Sequence, residues 1–130
     1  MSDTISDFIT IIRNAYRSHL DLCTANYSRM HWSIAKILKD EGFVREVREV
    51  QDERGHKAIE ITLKYVDEVP ALTGIQRHST PGRRLYYSYD EIPRILGGLG
   101  VGILTTSRGI MDDRTARKQK VGGEMVCSVW

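Results

Sequence analysis

The side chains best suited to hydrogen bonding are concentrated in the last quarter of this sequence. Residues 104–114 (LTTSRGIMDDR) place three hydroxyls, an arginine and a glycine in one turn between apolar runs, and a Gly-Gly-Glu turn follows at 122–124. Hydroxyls and peptide N–H groups bond to phosphate, sugar and base edges, while arginine adds positive charge and glycine lets a partner approach the backbone. The pattern indicates a surface for a polar, irregular partner.

Other kinds of site fit the sequence less well. The glycines at 97, 98, 100 and 102 come before a predicted strand, whereas a nucleotide-binding loop needs a strand before its glycines and a helix after them. The four histidines are widely separated and have no metal-ligand spacing. Ser107 has no nearby histidine in the sequence and no nucleophile elbow. We therefore expect a protein that is not an enzyme and that has no cofactor and no metal site.

Composition is typical of a globular protein, and the positively charged residues outnumber the negatively charged ones only in the second half of the chain. The chain has 130 residues, 41% hydrophobic and 28% charged, which is enough for one domain or two small lobes. Its apolar runs are shorter than the roughly 18–20 residues that span a bilayer, so no membrane partner is expected. Residues 1–70 hold 10 Lys/Arg against 12 Asp/Glu, and residues 71–130 hold 9 against 5. This asymmetry fits a polyanion-binding second half, or equally a solvated face with scattered arginines.

The two cysteines, Cys23 and Cys127, lie near opposite ends of the chain. They have no second pair with which to form a disulfide framework. We expect reduced, partly buried thiols and a cytosolic type of compartment.

Hydrophobic spacing predicts a first lobe of two helices followed by a hairpin. Apolar residues recur at helical spacing over 3–14 and 28–41, with Ser28 as the candidate N-cap and Gly42 as a left-handed terminator. Strict alternation over 59–65, preceded by a partner over 43–50 and a turn at Gly55, predicts two strands. The acidic, proline-containing segment 66–70 is typical of a linker.

The rest of the chain predicts a mostly β second lobe with a short helix. Strands are expected near 72–78, 84–87, 101–104 and 125–130, with a type II turn around Pro81-Gly82 and a brief helical turn over 91–96. Asp112 or Asp113 is expected to cap the short helix. The predicted fold class is therefore α+β, with an N-terminal α/β lobe over 1–68 and a β-rich lobe over 69–130.

Aromatic and guanidinium groups after the Pro-Gly turn strengthen the nucleic-acid interpretation. Tyr86 and Tyr87, beside Arg84, are side chains of the kind that stack on unpaired bases. Alternation along a strand places Tyr87 with Leu85 on one face and Tyr86 with Arg84 on the other. Tyr86 is therefore the tyrosine expected to be exposed.

Taken together, these motifs resemble the family of small-subunit ribosomal protein eight, found in bacterial and organellar ribosomes. The resemblance covers essentially the whole chain and is specific because the motifs occur in the family's order and spacing. They are DTISD (3–7) and IRN (12–14) in the first helix, EGF (41–43), PG (81–82), RLY (84–86), GGLG (97–100), TSRGIM (106–111) and GGE (122–124).

The resemblance implies a structural constituent of the small ribosomal subunit that supports subunit assembly. Members of this family bind an irregular, internally looped stem in the central domain of small-subunit ribosomal RNA, and the residues carried over to this chain are Thr105, Thr106, Ser107, Gly123, Glu124 and Tyr86. To these we add Gly109 in the turn, Arg84, Arg108 and Arg117 as phosphate contacts, and Thr4, Arg13, Asn14 and Arg29 as a second RNA surface. Since phosphate repels a carboxylate, Glu124 is expected to accept bonds from a base edge or from neighbouring backbone and hydroxyl donors.

The resemblance also implies partners and a location. Neighbouring small-subunit proteins, with proteins five and twelve foremost, are the expected protein partners, in the ribosomes of a bacterial cytoplasm or alternatively of a plastid stroma. A protein-interaction module whose basic face meets an acidic partner, and a second role in repressing translation of its own messenger, remain open as alternatives. A net charge of only +2 predicts a shallow salt dependence of RNA binding.

Overall fold

A computed structural model describes residues 3–130, which divide into two compact units. One is Thr4–Thr73, and the other is Gly74–Trp130 together with Asp3. Each unit combines helix with antiparallel sheet, so the predicted α+β class is confirmed.

The first unit consists of two helices and a three-stranded sheet with a small hairpin. In chain order its elements are α1 (Thr4–Arg17), β1 (Leu22–Asn26), α2 (Arg29–Asp40), β2 (Val44–Gln51), β3 (Lys57–Leu63), β4 (Tyr65–Val66) and β5 (Val69–Pro70). The antiparallel sheet has the order β1-β3-β2. The helices bury their apolar stripes, and the largest fully buried side chains of this unit are Phe8, Ile9, Ile12, Ile34, Leu38, Val44, Ile59 and Ile61.

The predicted ends of α2 and the predicted hairpin turn are confirmed. The Ser28 side chain accepts a hydrogen bond from the backbone N–H of His31 at 3.0 Å, as an N-cap does. Gly42 has a φ of +82° after the helix and Gly55 a φ of +80° in the β2–β3 turn, conformations that favour glycine.

Two segments of the first unit differ from the prediction. Residues 22–26, given no structure from the sequence, form strand β1, which pairs with β3 and buries only the small side chains of Cys23 and Ala25. The expected linker over 66–70 contains the β4–β5 hairpin. Its turn residues Asp67 and Glu68 have φ values of +51° and +67°, a region that usually selects glycine or asparagine, so the sequence gives little sign of the turn.

The second unit is a five-stranded antiparallel sheet with one short helix. Its elements are β6 (Ile75–Arg77), β7 (Tyr86–Tyr87), β8 (Val101–Thr106), β9 (Gly109–Asp112), α3 (Asp113–Gln119) and β10 (Gly123–Val129). The strand order is β6-β10-β8-β9, and β7 also pairs with β10. Leu104, Met125, Ala116 and Ile92 form a buried cluster in this unit.

The predictions for the second unit are confirmed in part. Asp112 caps α3 by accepting a hydrogen bond from the Thr115 N–H at 3.3 Å. The prediction of a type II turn around Pro81-Gly82 is wrong. Such a turn requires a left-handed φ at its third position, and the φ of Gly82 lies outside that region. The brief helical turn predicted over 91–96 is not formed there: residues 92–94 are irregular, and a 3-10 turn at Ile95–Gly98 is interrupted by positive φ values at Leu96 (+48°) and Gly97 (+65°).

The two cysteines are unpaired and buried, one in each unit. Burial raises the pKa of Cys23, in β1, to about 11 and that of Cys127, in β10, to about 12. These thiols therefore belong to the apolar interior, as expected from the sequence. Among the described residues, no helix is long and apolar enough to cross a bilayer.

Candidate nucleic-acid interface

The pairing of three strands brings together residues from three distant parts of the sequence. Strand β10 lies between β7 and β8, and Glu124 pairs with Tyr86 on one side and with Thr105 on the other. Directly paired residues of an antiparallel sheet share a face, so Tyr86, Glu124 and Thr105 form one line of side chains, here called the cross-strand row. The row presents an aromatic ring, a carboxylate and a hydroxyl.

Two glycines allow the strands of this row to approach one another. A Cβ on Gly123 would overlap the carbonyl oxygen of Thr105 and lie 2.9 Å from its carbonyl carbon. A Cβ on Gly122 would overlap the carbonyl oxygen of Tyr87 and lie 2.9 Å from the Cα of Ser88. Real Cβ atoms do not lie this close to backbone. The Gly-Gly pair is therefore required for β10 to fit between β7 and β8.

The carboxylate of Glu124 is neutralised inside the protein. It accepts a hydrogen bond from the Ser79 hydroxyl at 2.5 Å and one from the Arg84 guanidinium at 2.9 Å, and its side chain is only 14% exposed. Burial raises the pKa of Glu124, but the bonds from Ser79 and Arg84 and the charges of Arg84 and Arg77 outweigh it and bring the pKa below its usual value. The sequence analysis expected neighbouring donors for Glu124 without identifying them, and the hydroxyl donor in the structure is Ser79.

Ser79 is the residue of this site that the sequence did not reveal. It is fully buried, donates to Glu124, and accepts a hydrogen bond from the Leu85 backbone N–H at 3.1 Å. It thus connects the carboxylate of β10 to the segment that enters β7. Because Ser79 and Glu124 are 45 residues apart and a serine before a Pro-Gly turn is ordinary, no local pattern identifies the pair.

The three hydroxyls of the β8–β9 turn have different surroundings. Thr105 Oγ1 is buried and has no hydrogen-bond partner within residues 3–130. Thr106 Oγ1 donates to the Gly109 carbonyl at 2.8 Å and accepts from the Arg108 N–H at 3.1 Å, so it shapes the turn. Ser107 is exposed at the tip, and its hydroxyl bonds to no other described residue. Gly109, with a φ of +110°, closes the turn in a conformation suited to glycine.

The exposed surface of the site contains Tyr86 and two arginines. Tyr86 is 71% exposed, whereas Tyr87 packs against the buried cluster, as strand alternation predicts. Arg84 is 49% exposed while bonded to Glu124. Arg108 is exposed at the turn and forms no side-chain bond to the part of the chain that is described.

Arg117 is tied into the scaffold of the second unit. Its guanidinium pairs with Asp113 at 2.8 Å and donates to the carbonyl oxygens of Ile92 and Pro93 at 3.3 and 3.1 Å. Its side chain is 20% exposed. It therefore holds the segment before the 3-10 turn against α3.

The remaining predicted RNA-binding residues belong to the first unit. Thr4 begins α1, Arg13 and Asn14 lie in its second half, and Arg29 begins α2. Thr4, Asn14 and Arg29 are exposed, and Arg13 is half-buried. They are spread over two helices of one unit.

Comparison with known proteins gives a consistent result over the whole chain. The family model described as Ribosomal protein S8 matches residues 3–130. The chain is 52% identical to the small ribosomal subunit protein uS8 of Opitutus terrae over the full length of both proteins. It is 49% identical to uS8 of Sorangium cellulosum and 45% identical to uS8c of Chlorokybus atmophyticus, in each case over 100% of this chain and 99% of the relative. The protein therefore belongs to the ribosomal protein S8 family, which is a family of structural proteins and not of enzymes.

Proposed function

We propose that this protein is a structural constituent of the small ribosomal subunit and binds an irregular stem of small-subunit ribosomal RNA directly. The binding surface consists of the cross-strand row and the tip of the β8–β9 turn. The observation that supports it is the strand register, which places Tyr86, Glu124 and Thr105 side by side.

The chemistry of this surface suits the shallow groove of an RNA stem. An A-form minor groove exposes 2′-hydroxyls and base edges, which a short exposed side chain such as that of Ser107 can reach. The exposed Tyr86 ring offers a stacking surface to a base displaced at an internal loop. Arg84 and Arg108 lie where they can contact the flanking phosphates.

The neutralised carboxylate makes this surface compatible with RNA. An unpaired Glu124 would repel phosphate, but its charge is offset by Arg84 and its oxygens are occupied by Ser79 and Arg84. The same bonds fix the orientation of Arg84. Glu124 thus orders the surface, and the few free cations imply a shallow salt dependence of binding.

Within the ribosome, the protein binds the central domain of the small-subunit RNA and supports assembly beside neighbouring small-subunit proteins, with proteins five and twelve foremost. The first-unit residues Thr4, Arg13, Asn14 and Arg29 form a second, weaker RNA surface. The preferred location is a bacterial cytoplasmic ribosome, with a plastid ribosome as the alternative, since uS8c of Chlorokybus atmophyticus at 45% identity lies within the 43–52% range of the uS8 relatives.

Titration against two RNAs at several salt concentrations tests this proposal. One RNA is the central-domain stem with its internal loop, and the other is a fully paired duplex of the same length and composition. We expect the looped stem to bind at least about tenfold more tightly, a difference of about 1.4 kcal/mol. Equal affinities would contradict specific recognition.

A matched pair of variants locates the binding surface. Tyr86→Ala is expected to weaken binding to the looped stem by about fivefold or more, since stacking on a base contributes about 1–3 kcal/mol. Ser18→Ala, an exposed change in the first unit, serves as the control and leaves affinity unchanged. If Tyr86→Ala binds like the control, the cross-strand row does not contact the RNA.

A further inference from the structure

The first unit contains an open hollow that the proposed RNA surfaces do not use. His19, Asp21, Tyr65 and Glu68 line a space of about 420 Å³ between the turn after α1 and the β4–β5 hairpin. The Tyr65 hydroxyl of the hairpin donates to the Leu20 carbonyl at 2.8 Å, and the N–H of Leu63, at the end of β3, donates to the Asp21 carbonyl at 2.9 Å. The hollow is therefore bounded by segments that are bonded to each other.

One wall of the hollow is aromatic. The ring of His19 stacks on that of Tyr65, with centroids 5.6 Å apart and planes 19° from parallel. Such a wall offers a flat π surface to a planar cation. The hydroxyl of Tyr65 donates to Leu20, and the Tyr65 ring also has an edge contact with the Tyr16 ring, with centroids 5.5 Å apart. A ligand therefore meets the stacked His19–Tyr65 pair as a unit and not a free Tyr65 ring.

The carboxylates beside this wall are not neutralised by the protein. Neither Asp21 nor Glu68 forms a salt bridge with a basic side chain anywhere in residues 3–130, and the same holds for Asp67. Acidic residues of the neighbouring sheet are paired: the ion pairs are Glu46 with Lys39, Glu60 with Arg48, and Glu49 with Lys57. The hollow thus attracts a cation and repels the phosphates of RNA.

Exposed aliphatic side chains adjoin the lining residues in the sequence. Leu20 is 48% exposed, Val66 56% and Val69 61%. A protein segment could bury these side chains, whereas an RNA backbone would gain little from them. Negative charge together with apolar surface therefore favours a protein over a nucleic acid as the occupant.

We propose that this hollow receives an arginine side chain from a neighbouring protein of the small subunit. The guanidinium packs against the stacked His19–Tyr65 pair and pairs with Asp21 and Glu68, since arginine combines planar packing with directed bonds to carboxylates. Apolar residues flanking that arginine cover Leu20, Val66 and Val69. This inference rests on the proposed function, because it places the protein in an assembled subunit.

Photo-cross-linking in assembled small subunits tests the inference. The full-length protein carries p-benzoylphenylalanine in place of Val69, and the cross-linked product is identified by mass spectrometry. We expect a cross-link to a protein segment that contains an arginine. A cross-link to ribosomal RNA, a cross-link to a segment without arginine, or no cross-link would overturn the inference.

Charge removal provides the second arm of the experiment. The double change D21N/E68Q in the cross-linking protein is expected to lower the yield by about fivefold or more, while Glu53→Gln, an exposed acid in the β2–β3 turn, leaves the yield unchanged. Urea unfolding of each variant shows that it is folded. An unchanged yield in the double variant would also overturn the inference.

A second probe position separates this inference from the proposed function. The photoreactive residue in place of Ser107, at the tip of the β8–β9 turn, is expected to cross-link to ribosomal RNA. If it does so while the probe at 69 finds no protein, the hollow inference alone fails. If the Ser107 probe finds no RNA, or the protein does not enter subunits, the proposed function fails.

Discussion

The cross-strand row of the second unit and the hollow of the first unit both combine an aromatic ring with a carboxylate. They differ in whether a cationic side chain of the protein pairs with that carboxylate. In the row, Glu124 is bonded to Ser79 and Arg84, and the ring of Tyr86 projects into solvent. In the hollow, Asp21 and Glu68 have no cationic partner among the described residues, and the ring of Tyr65 forms a wall. Similar residue types can therefore serve opposite classes of partner, depending on whether the fold itself neutralises the carboxylate.

The largest disruption of the row is expected from Gly123→Ala. The added Cβ overlaps the Thr105 carbonyl, so β8 and β10 must separate, at a cost of about 1–3 kcal/mol in the free energy of unfolding. The affinity for the looped stem should fall further than this loss of stability explains, because the row itself is displaced. Urea unfolding and RNA titration measure the two effects.

Gly82→Ala is the matched control for this change. Nothing lies within 4 Å of a Cβ at residue 82, and its φ is not in the left-handed region. We expect the free energy of unfolding and the RNA affinity to remain within about 0.5 kcal/mol of their original values. Equal losses in the two variants would show that the approach of β10 to β8 is not what glycine provides at residue 123.

The next largest effect is expected from Glu124→Gln. The change removes a charge-assisted bond to Arg84 and weakens the one from Ser79, which costs about 1–3 kcal/mol of stability. Affinity for the looped stem should fall because Arg84 loses its orientation, while affinity for the paired duplex stays equal or rises. The ratio of the two affinities is the quantity to measure.

Glu68→Gln in the hollow is the counterpart of Glu124→Gln in the cross-strand row. Because Glu68 has no basic partner in the described chain, its loss should alter neither stability nor RNA selectivity. If Glu124→Gln raised the affinity for both RNAs by the same factor, Glu124 would merely repel phosphate and would not order the site.

A smaller effect distinguishes adjacent hydroxyls within the β8–β9 turn. Thr106→Ala removes two hydrogen bonds that shape the turn and is expected to cost about 1 kcal/mol of stability as well as RNA affinity. Ser107→Ala removes a hydroxyl with no partner in the described protein, so only RNA affinity should fall, by about fivefold. If Ser107→Ala lowered the unfolding midpoint as much as Thr106→Ala, the tip of the turn would be scaffold.

The smallest effect concerns pH and remains within the second unit. Burial, and then the charge of Arg77, lower the pKa of His78 from its ordinary 6.5, so the unfolded chain takes up the proton first. The free energy of unfolding should therefore fall as the pH drops below about 6.5. The lowered pKa of Glu124 predicts a second fall in the free energy of unfolding below about pH 4.5, because the folded protein favours the ionised form of Glu124.

Urea unfolding at pH 7.5, 5.5 and 4 measures this dependence, with His78→Gln as the test variant. Glutamine can still bond to the Ser128 hydroxyl, which lies 2.7 Å from His78 Nε2, but it does not titrate. The decline between pH 7.5 and 5.5 should become shallower in this variant. If the decline is unchanged in this variant, the pH dependence comes from groups other than His78.

The sequence predicts the regular elements better than the contacts that make the site. Helices α1 and α2 and the β2–β3 hairpin follow from long periodic patterns with clear ends such as Ser28 and Gly42. Strand β1 is missed because its buried residues, Cys23 and Ala25, are too small to give a strong apolar alternation. The β4–β5 turn is missed because its residues are not the usual turn formers.

The candidate site shows the same limit. Motif resemblance identifies Thr105, Glu124 and Tyr86 as members of one site, and strand alternation predicts that Tyr86 is exposed. Neither pattern shows that Ser79 completes the site or that Arg117 is held by Asp113. Those contacts join residues that meet only through sheet pairing and packing, so the spacing of residues in the sequence does not predict them.

The buried cysteines give each unit its own reporter of local opening. Cys23 lies in the first unit and Cys127 in the second, and their raised pKa values leave almost no reactive thiolate at neutral pH while the chain is folded. Alkylation of either thiol therefore requires its strand to detach. Alkylation with one reagent, followed by mass spectrometry, measures the opening rate of each unit separately. The measurement applies to the free protein and to the protein on the ribosome, and it needs no introduced label.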